Sequence, residues 1–189
     1  SVVYHKKGEY QKAIEFAIRS SKIFQEIGNK SMLGRAFGSA GNSYRKNTDY
    51  INGIEYLNRS LQAFEEIGDK RGIGYAYKEI GNVYGNTGDY EKNIDYHNRS
   101  LKLFEEIGYK RGIGNLLSDS FRQYEQKGDY TEIKNRKIRS FEMYERLGDK
   151  WSMSIVLSGI GIRYGNEGNL DKALACFHRI IELLNESND

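Results

Sequence analysis

The chain of 189 residues contains no proline, a single cysteine and only three histidines. Without proline, nothing forces a helix to break, so any punctuation has to come from other residues. The lone thiol, Cys176, excludes an internal disulfide and fits a reducing, cytoplasmic compartment. His5, His97 and His178 are scattered, with no second ligand at a helical metal spacing, so no metal or other cofactor is expected. No run approaches the ~18 apolar residues that span a bilayer, and no membrane partner is expected. A formal charge of +3 is too small to imply a nucleic-acid partner.

What the chain has is repetition. Ile27-Gly28-Asn29-Lys30, Ile67-Gly68-Asp69-Lys70, Ile107-Gly108-Tyr109-Lys110 and Leu147-Gly148-Asp149-Lys150 recur at a fixed period of 40. A period without slippage means one supersecondary unit copied along the chain. A single repeat domain over 1–189 is expected, with units at about 1–29, 30–69, 70–109, 110–149 and 150–189. The chain opens at Ser1, aligned with Gly41, Gly81 and Gly161 inside the repeat. It reads as an excerpt from a longer protein.

One unit shows the design. From Gly72 to Asn86, Ile73, Tyr77, Ile80 and Tyr84 fall three or four apart, the stripe of an amphipathic helix. After Gly88-Asp89, a second stripe runs through Tyr90, Ile94, Tyr96-His97, Leu101, Phe104 and Ile107. Gly88 suits the left-handed residue that ends a helix, and Asp89 can accept from the free amides that open the next. Each unit is predicted to be two antiparallel helices joined by very short turns, with glycine as the sole punctuation.

These residues resemble the tetratricopeptide repeat. Ile80-Gly81-x-x-Tyr84 and Ile160-Gly161-x-x-Tyr164 match the family's L-G-x-x-Y, and Ala173-x-x-x-Phe177 matches the second helix's small residue followed by a ring. Tyr4, Tyr44, Tyr84, Tyr124 and Tyr164 hold one register along the chain. The period departs from the usual length of about 34 residues. In this longer form it is similar to Pins/LGN-type repeats, kinesin light chains and bacterial signalling arrays. The resemblance implies an all-α, right-handed superhelical α-solenoid of about four and a half helix pairs. It also implies first helices on a concave face, second helices on the convex face, and a buried serine at Ser20, Ser60, Ser100 and Ser140.

The fourth unit departs from the pattern. Phe121 replaces the glycine and Ile133 the small residue, while Lys134 and Lys137 stand where Ile94 and His97 stand one unit earlier. Two large residues at a close contact predict an altered helix pair near 115–145. Arg19, Arg59, Arg99, Arg139 and Arg179 form a column best read as a solvated face, offset by Glu65, Glu66, Glu105 and Glu106.

Groove candidates are the first-helix positions not used for packing: Arg35, Asn42 and Arg45, then Tyr75, Lys78, Asn82 and Asn86, then Asn115 and Arg122. Asn42, Asn82 and Arg122 share one repeat position and are expected to form a row. An amide offers donor and acceptor to an extended peptide, and guanidinium groups favour carboxylates, so an acidic peptide or protein segment is the expected partner. Ile155 and Ile162 point to the same face and suit an apolar pocket or a neighbouring repeat. The last helix, Leu170 to Leu184, is apolar enough to expect another repeat or a second chain, hence self-association.

Catalysis is not legible. Cys176 lies in an apolar stripe without a base, and Gly72-Ile73-Gly74 lacks the Gly-Lys-Ser/Thr of a phosphate loop. The pair is read instead as close backbone approach at a helix entry. A non-enzymatic adaptor or scaffold is the first reading. A ligand- or peptide-sensing regulatory domain is the alternative, and an RNA-binding array is the weakest.

Overall fold

The computed structural model describes residues 2–119, 124 and 130–186. Among them are nine helices and no strand: α1 (Val2–Glu26), α2 (Lys30–Lys46), α3 (Tyr50–Glu65), α4 (Lys70–Thr87), α5 (Tyr90–Glu106), α6 (Lys110–Asp119), α7 (Tyr130–Leu147), α8 (Lys150–Asn166) and α9 (Leu170–Asn185). They form two compact units, Ser1–Gly108 and Tyr109–Asp189. Within each, successive helices pack against one another, α1 to α5 in the first and α6 to α9 in the second.

The turns explain the tight period. Gly68, Gly88, Gly148 and Gly168 take positive φ, and the next residue's amide reaches back to a carbonyl five residues earlier, as in Asp69 N–H to Phe64 O at 3.0 Å. That residue then caps the following helix: Asp69 accepts from the Gly72 amide, Asp89 from Lys92 and Asp149 from Ser152. One left-handed residue and one cap suffice to reverse the chain. Glycine is not the sole punctuation, however. Thr48 holds φ 65° between α2 and α3, a strained conformation for a β-branched residue.

The first unit also departs from expectation. α1 runs through Gly8-Glu9 without the turn made at Gly88-Asp89. Glutamate is a poor substitute for aspartate as a cap, so helix continues where a shorter side chain would have stopped it. Phe16, which aligns with the packed Tyr56 and Tyr96, is 68% exposed as a result.

One serine ties each of three pairs together. Ser60 donates to Gly34 O, Ser100 to Gly74 O and Ser140 to Gly114 O, all buried and all 26 residues apart. Ser20 is not buried. It donates to Phe16 O in its own helix.

Close packing rests on missing side chains. A Cβ on Gly41 would lie 2.6 Å from Leu57 Cγ and 2.9 Å from Gly53 O. Gly74 would meet the Phe104 ring at 2.5 Å, so the Gly72-Ile73-Gly74 pair admits aromatic rings of second helices rather than backbone. The repeated tyrosine packs on its pair's second helix, Tyr44 stacked on Tyr56 at 5.3 Å and Tyr84 on Tyr96 at 5.6 Å. Burial raises the Tyr44 and Tyr96 hydroxyl pKa values, with the partner ring's phenol adding to it.

In the fourth copy Arg136 replaces the second tyrosine. It is 4% exposed, lies 4.5 Å over the Tyr124 ring, donates to the Tyr124 hydroxyl at 2.6 Å and pairs with Glu132. Ile133 is buried, Lys134 is exposed and Lys137 donates to Gly159 O at 2.8 Å. Phe121 lies outside the described residues. The arginine column is solvent-facing, but its acids are not those expected: Arg59 pairs with Glu55 and Arg99 with Asp95, one turn back. Glu66 and Glu106 instead pair with Lys30 and Lys70, where the end of the second helix meets the start of the first in the same helix pair.

Candidate functional site

α2 and α4 enclose a cleft of about 570 Å³, floored by Leu57, Ser60 and Phe64 of α3. It is open because small residues line it: Gly34, Gly38 and Ser39 on α2, Gly72 and Ala76 on α4. Three predicted residues, Arg35, Asn42 and Tyr75, stand in its walls. The Tyr75 ring is held edge-on against Phe104 at 5.3 Å. Arg35 is exposed and has no ion-pair partner among the described residues.

Two further predicted residues join through an acid that also lines the cleft. Arg45 Nη2 donates to Asn42 Oδ1 at 2.7 Å and lies 3.7 Å from Glu79 Oε2. Asn82 donates to Glu79 at 3.3 Å, and its carbonyl oxygen lies 3.1 Å from His97 Nε2. A polar chain therefore runs Asn42–Arg45–Glu79–Asn82–His97, with His97 only 2% exposed. Glu79 neutralises Arg45 and orients Asn82, which turns part of the predicted basic face inward. No repeat signature marks Glu79 for this role: the same position holds Ser39, Asp119 and Gly159 in other copies. Asp69, the other acid in the cleft, is engaged as the cap of α4.

The remaining candidates do not line this cleft. Lys78 is half-buried and Asn86 exposed beyond its walls. Asn115, in the second unit, accepts from the Tyr144 hydroxyl at 2.6 Å. Arg122 lies outside the described residues. Ile155 and Ile162 are 54% and 56% exposed, beside a residue that sequence reasoning passed over, Trp151, at 68%. Its signal was its place: 151 and 155 are one helical turn apart on α8.

Nothing in the cleft assembles a reaction centre. Cys176 lies in the other unit, with its thiol pKa raised by burial, the direction opposite to activation. Among the described residues no three His, Cys, Asp or Glu side chains group to hold a metal, and no helix is long and apolar enough to cross a membrane.

The architecture is that of a tetratricopeptide-like solenoid of helix pairs, a fold that is generally a non-catalytic interaction scaffold. Residues 32–106 match the family model described as Tetratricopeptide repeat. Among solved structures, the chain is similar to BtubC (BKLC) from P. vanneervenii, with TM-score 0.77 and 14% identity over 98% of this chain and 75% of that one. It is similar to a putative kinesin light chain of Podosopora anserina with nearly identical TPR-like repeats, TM-score 0.68 and 12% identity over 98% and 91%. It is also similar to a Rap protein complexed with Competence and Sporulation Factor, TM-score 0.65 and 12% identity over 97% of this chain and 61% of that one. No curated protein matches the sequence.

Proposed function

We propose that the chain is a cytoplasmic adaptor or scaffold module that binds a peptide or protein segment in the cleft between α2 and α4. The carrying observation is a cleft whose own acids are engaged, Asp69 by an amide and Glu79 by Asn82, while Arg35 faces it without an ion-pair partner among the described residues. A carboxylate of the segment meets Arg35 in charge-assisted hydrogen bonds. Asn42 and the edge-packed Tyr75 contact its backbone and side chains, and Asn82 and Arg45 hold that wall in place.

Selection of peptides from a random display library against the whole chain tests this. Enrichment of Asp- or Glu-containing peptides is expected, with affinity falling at least tenfold for Ser39→Trp, which fills the cleft from an exposed position, and for Arg35→Glu. Selected peptides that bind both variants as tightly as the parent chain would refute the assignment. The likeness to the Rap protein, solved with a bound factor, supports a second reading: a regulatory domain that senses its ligand. X-ray scattering that changes on saturation with a selected peptide favours the sensor, and unchanged scattering favours the adaptor.

A further inference from the structure

Each unit contains a seam where a second helix meets the next first helix, α3 with α4 in one and α7 with α8 in the other. The α3–α4 seam is apolar and closed. Ile54 and Leu57 of α3 pack with Ile80, Val83 and Tyr84 of α4, and Leu57, Ile80 and Val83 are 0%, 1% and 1% exposed. In the α7–α8 seam the repeat positions of Ile54, Leu57 and Val83 hold Lys134, Lys137 and Arg163. Ile160 and Tyr164 keep the places of Ile80 and Tyr84. Three cations from two helices therefore stand where one core cluster has three aliphatic side chains.

Charges resist burial in an apolar contact and like charges repel, so this seam cannot close over them. It closes at one end, where Phe141 and Tyr144 of α7 pack with Met153 and Val156 of α8. At the other end it holds a cavity of about 570 Å³, floored by the buried Ile133 and walled by Ile138, Ile160 and Tyr164. All three cations line it. Lys137 donates to Gly159 O at 2.8 Å, and Arg163 Nε donates to Glu167 Oε1 at 2.8 Å. Lys134 is exposed and has no ion-pair partner among the described residues. Glu167 is the one acid among the described lining residues, which leaves an excess of two positive charges. Lys134 and Lys137 are three residues apart and share one face of α7, so both ammonium groups serve the same space. One such replacement is an ordinary surface change. Three that converge on one enclosed space make a site.

We propose that the α7–α8 seam binds a small phosphate monoester with a ring-sized apolar body. Such a group carries a charge of about −1.5 to −2 at neutral pH on three acceptor oxygens. That matches the excess of two and the N–H donors of lysine and arginine. The apolar body rests on Ile138, Ile160 and Tyr164, and the volume falls in the range of about 300–1,000 Å³ usual for small-molecule pockets. The site lies in the other unit from the α2–α4 cleft, so the two stand or fall independently.

Phenyl phosphate titrated into the whole chain by isothermal calorimetry at low ionic strength tests the proposal, with inorganic phosphate and phenol as its two halves. Saturable one-to-one binding is expected, at least tenfold tighter than for either half. Lys134→Glu, at an exposed position, is expected to weaken it at least tenfold. Lys134→Ile, Lys137→Leu and Arg163→Val together restore the apolar residues of the α3–α4 seam. That variant is expected to keep the helical circular dichroism of the parent chain and to lose binding. Four results would overturn the proposal: no saturation, equal binding by Lys134→Glu or by the triple variant, inorganic phosphate bound as tightly as phenyl phosphate, or binding removed by Ser39→Trp. A phosphotyrosine peptide bound at least tenfold tighter than phenyl phosphate would also overturn it, assigning the seam to a protein segment.

Discussion

The second and fourth copies of the repeat solve one packing problem with different chemistry. In α2 and α3, Tyr44 stacks on Tyr56 and Leu57 fills the space beside Gly41. In the fourth copy Tyr124 meets a buried guanidinium, and Lys137 takes the place of the leucine and reaches the Gly159 carbonyl. A ring on a ring needs only shape, whereas a buried arginine needs a partner for its charge, supplied here by Glu132 and the tyrosine hydroxyl. The scaffold therefore tolerates a change of interaction type, provided that the volume and hydrogen bonds are replaced together.

The largest test of that contrast is at Arg136. Arg136→Ala should lose about 3–5 kcal/mol of unfolding free energy, because Glu132 and Tyr124 lose their partner, whereas Arg136→Tyr should stay within about 1 kcal/mol by restoring the ring pair. Denaturant titration of both variants decides it, and equal losses would mean that the ring contact contributes nothing. Next is the close approach at Gly41. Gly41→Ala places a methyl against the Gly53 carbonyl and should cost about 2–3 kcal/mol. Gly161→Ala meets Cys176 Cβ and the edge of a half-exposed Phe177 ring at 3.1 Å and should cost under about 1 kcal/mol. Melting curves that fall equally would erase the difference in packing between the second and fifth copies.

Thr48→Gly should gain about 1 kcal/mol, because it removes the left-handed β-branched residue that the other turns avoid. A lower melting temperature would show that its hydroxyl bond to Asn47 O matters more.

The smallest effect is with pH. Tyr44 and Tyr96 have raised folded-state pKa values, so their contribution is intact below the ordinary tyrosine value of about 10 and is lost as pH rises through the folded value. Asp89 and Glu66 are lowered by hydrogen bonds from Lys92 and Lys30. Their contribution is present above the ordinary carboxylate range and is lost as pH falls through the folded values. Glu66 is exposed and Asp89 lies at the surface half-buried, which keeps the acid effect slight. Alkaline loss of structure is therefore expected to begin at the paired tyrosines of the first unit, followed by tyrosinate absorbance alongside circular dichroism.

Much of this architecture was legible in the chain. The 40-residue period, the stripes and the Gly-Asp pairs specify helix, turn and cap through local chemistry, and the described turns use those residues for those purposes. The exceptions share a cause. Gly8-Glu9 resembles the turn signal but lacks a cap of the right length, and Thr48 occupies a left-handed site that a pattern of glycines does not announce. The candidate site was legible only in part. Repeat position placed Arg35, Asn42 and Tyr75 on the cleft, but partners decided which polar groups stayed available.

By itself, then, the sequence determined helix placement, turn chemistry and which face of each helix is apolar, because these depend on residues a few positions apart. Tertiary structure alone decided that Glu79 draws Arg45 and Asn82 into an internal network. It also decided that Arg136 is buried on Tyr124. Those outcomes depend on what an adjacent helix presents at a given height. That is a property of packing in three dimensions, which no local spacing encodes.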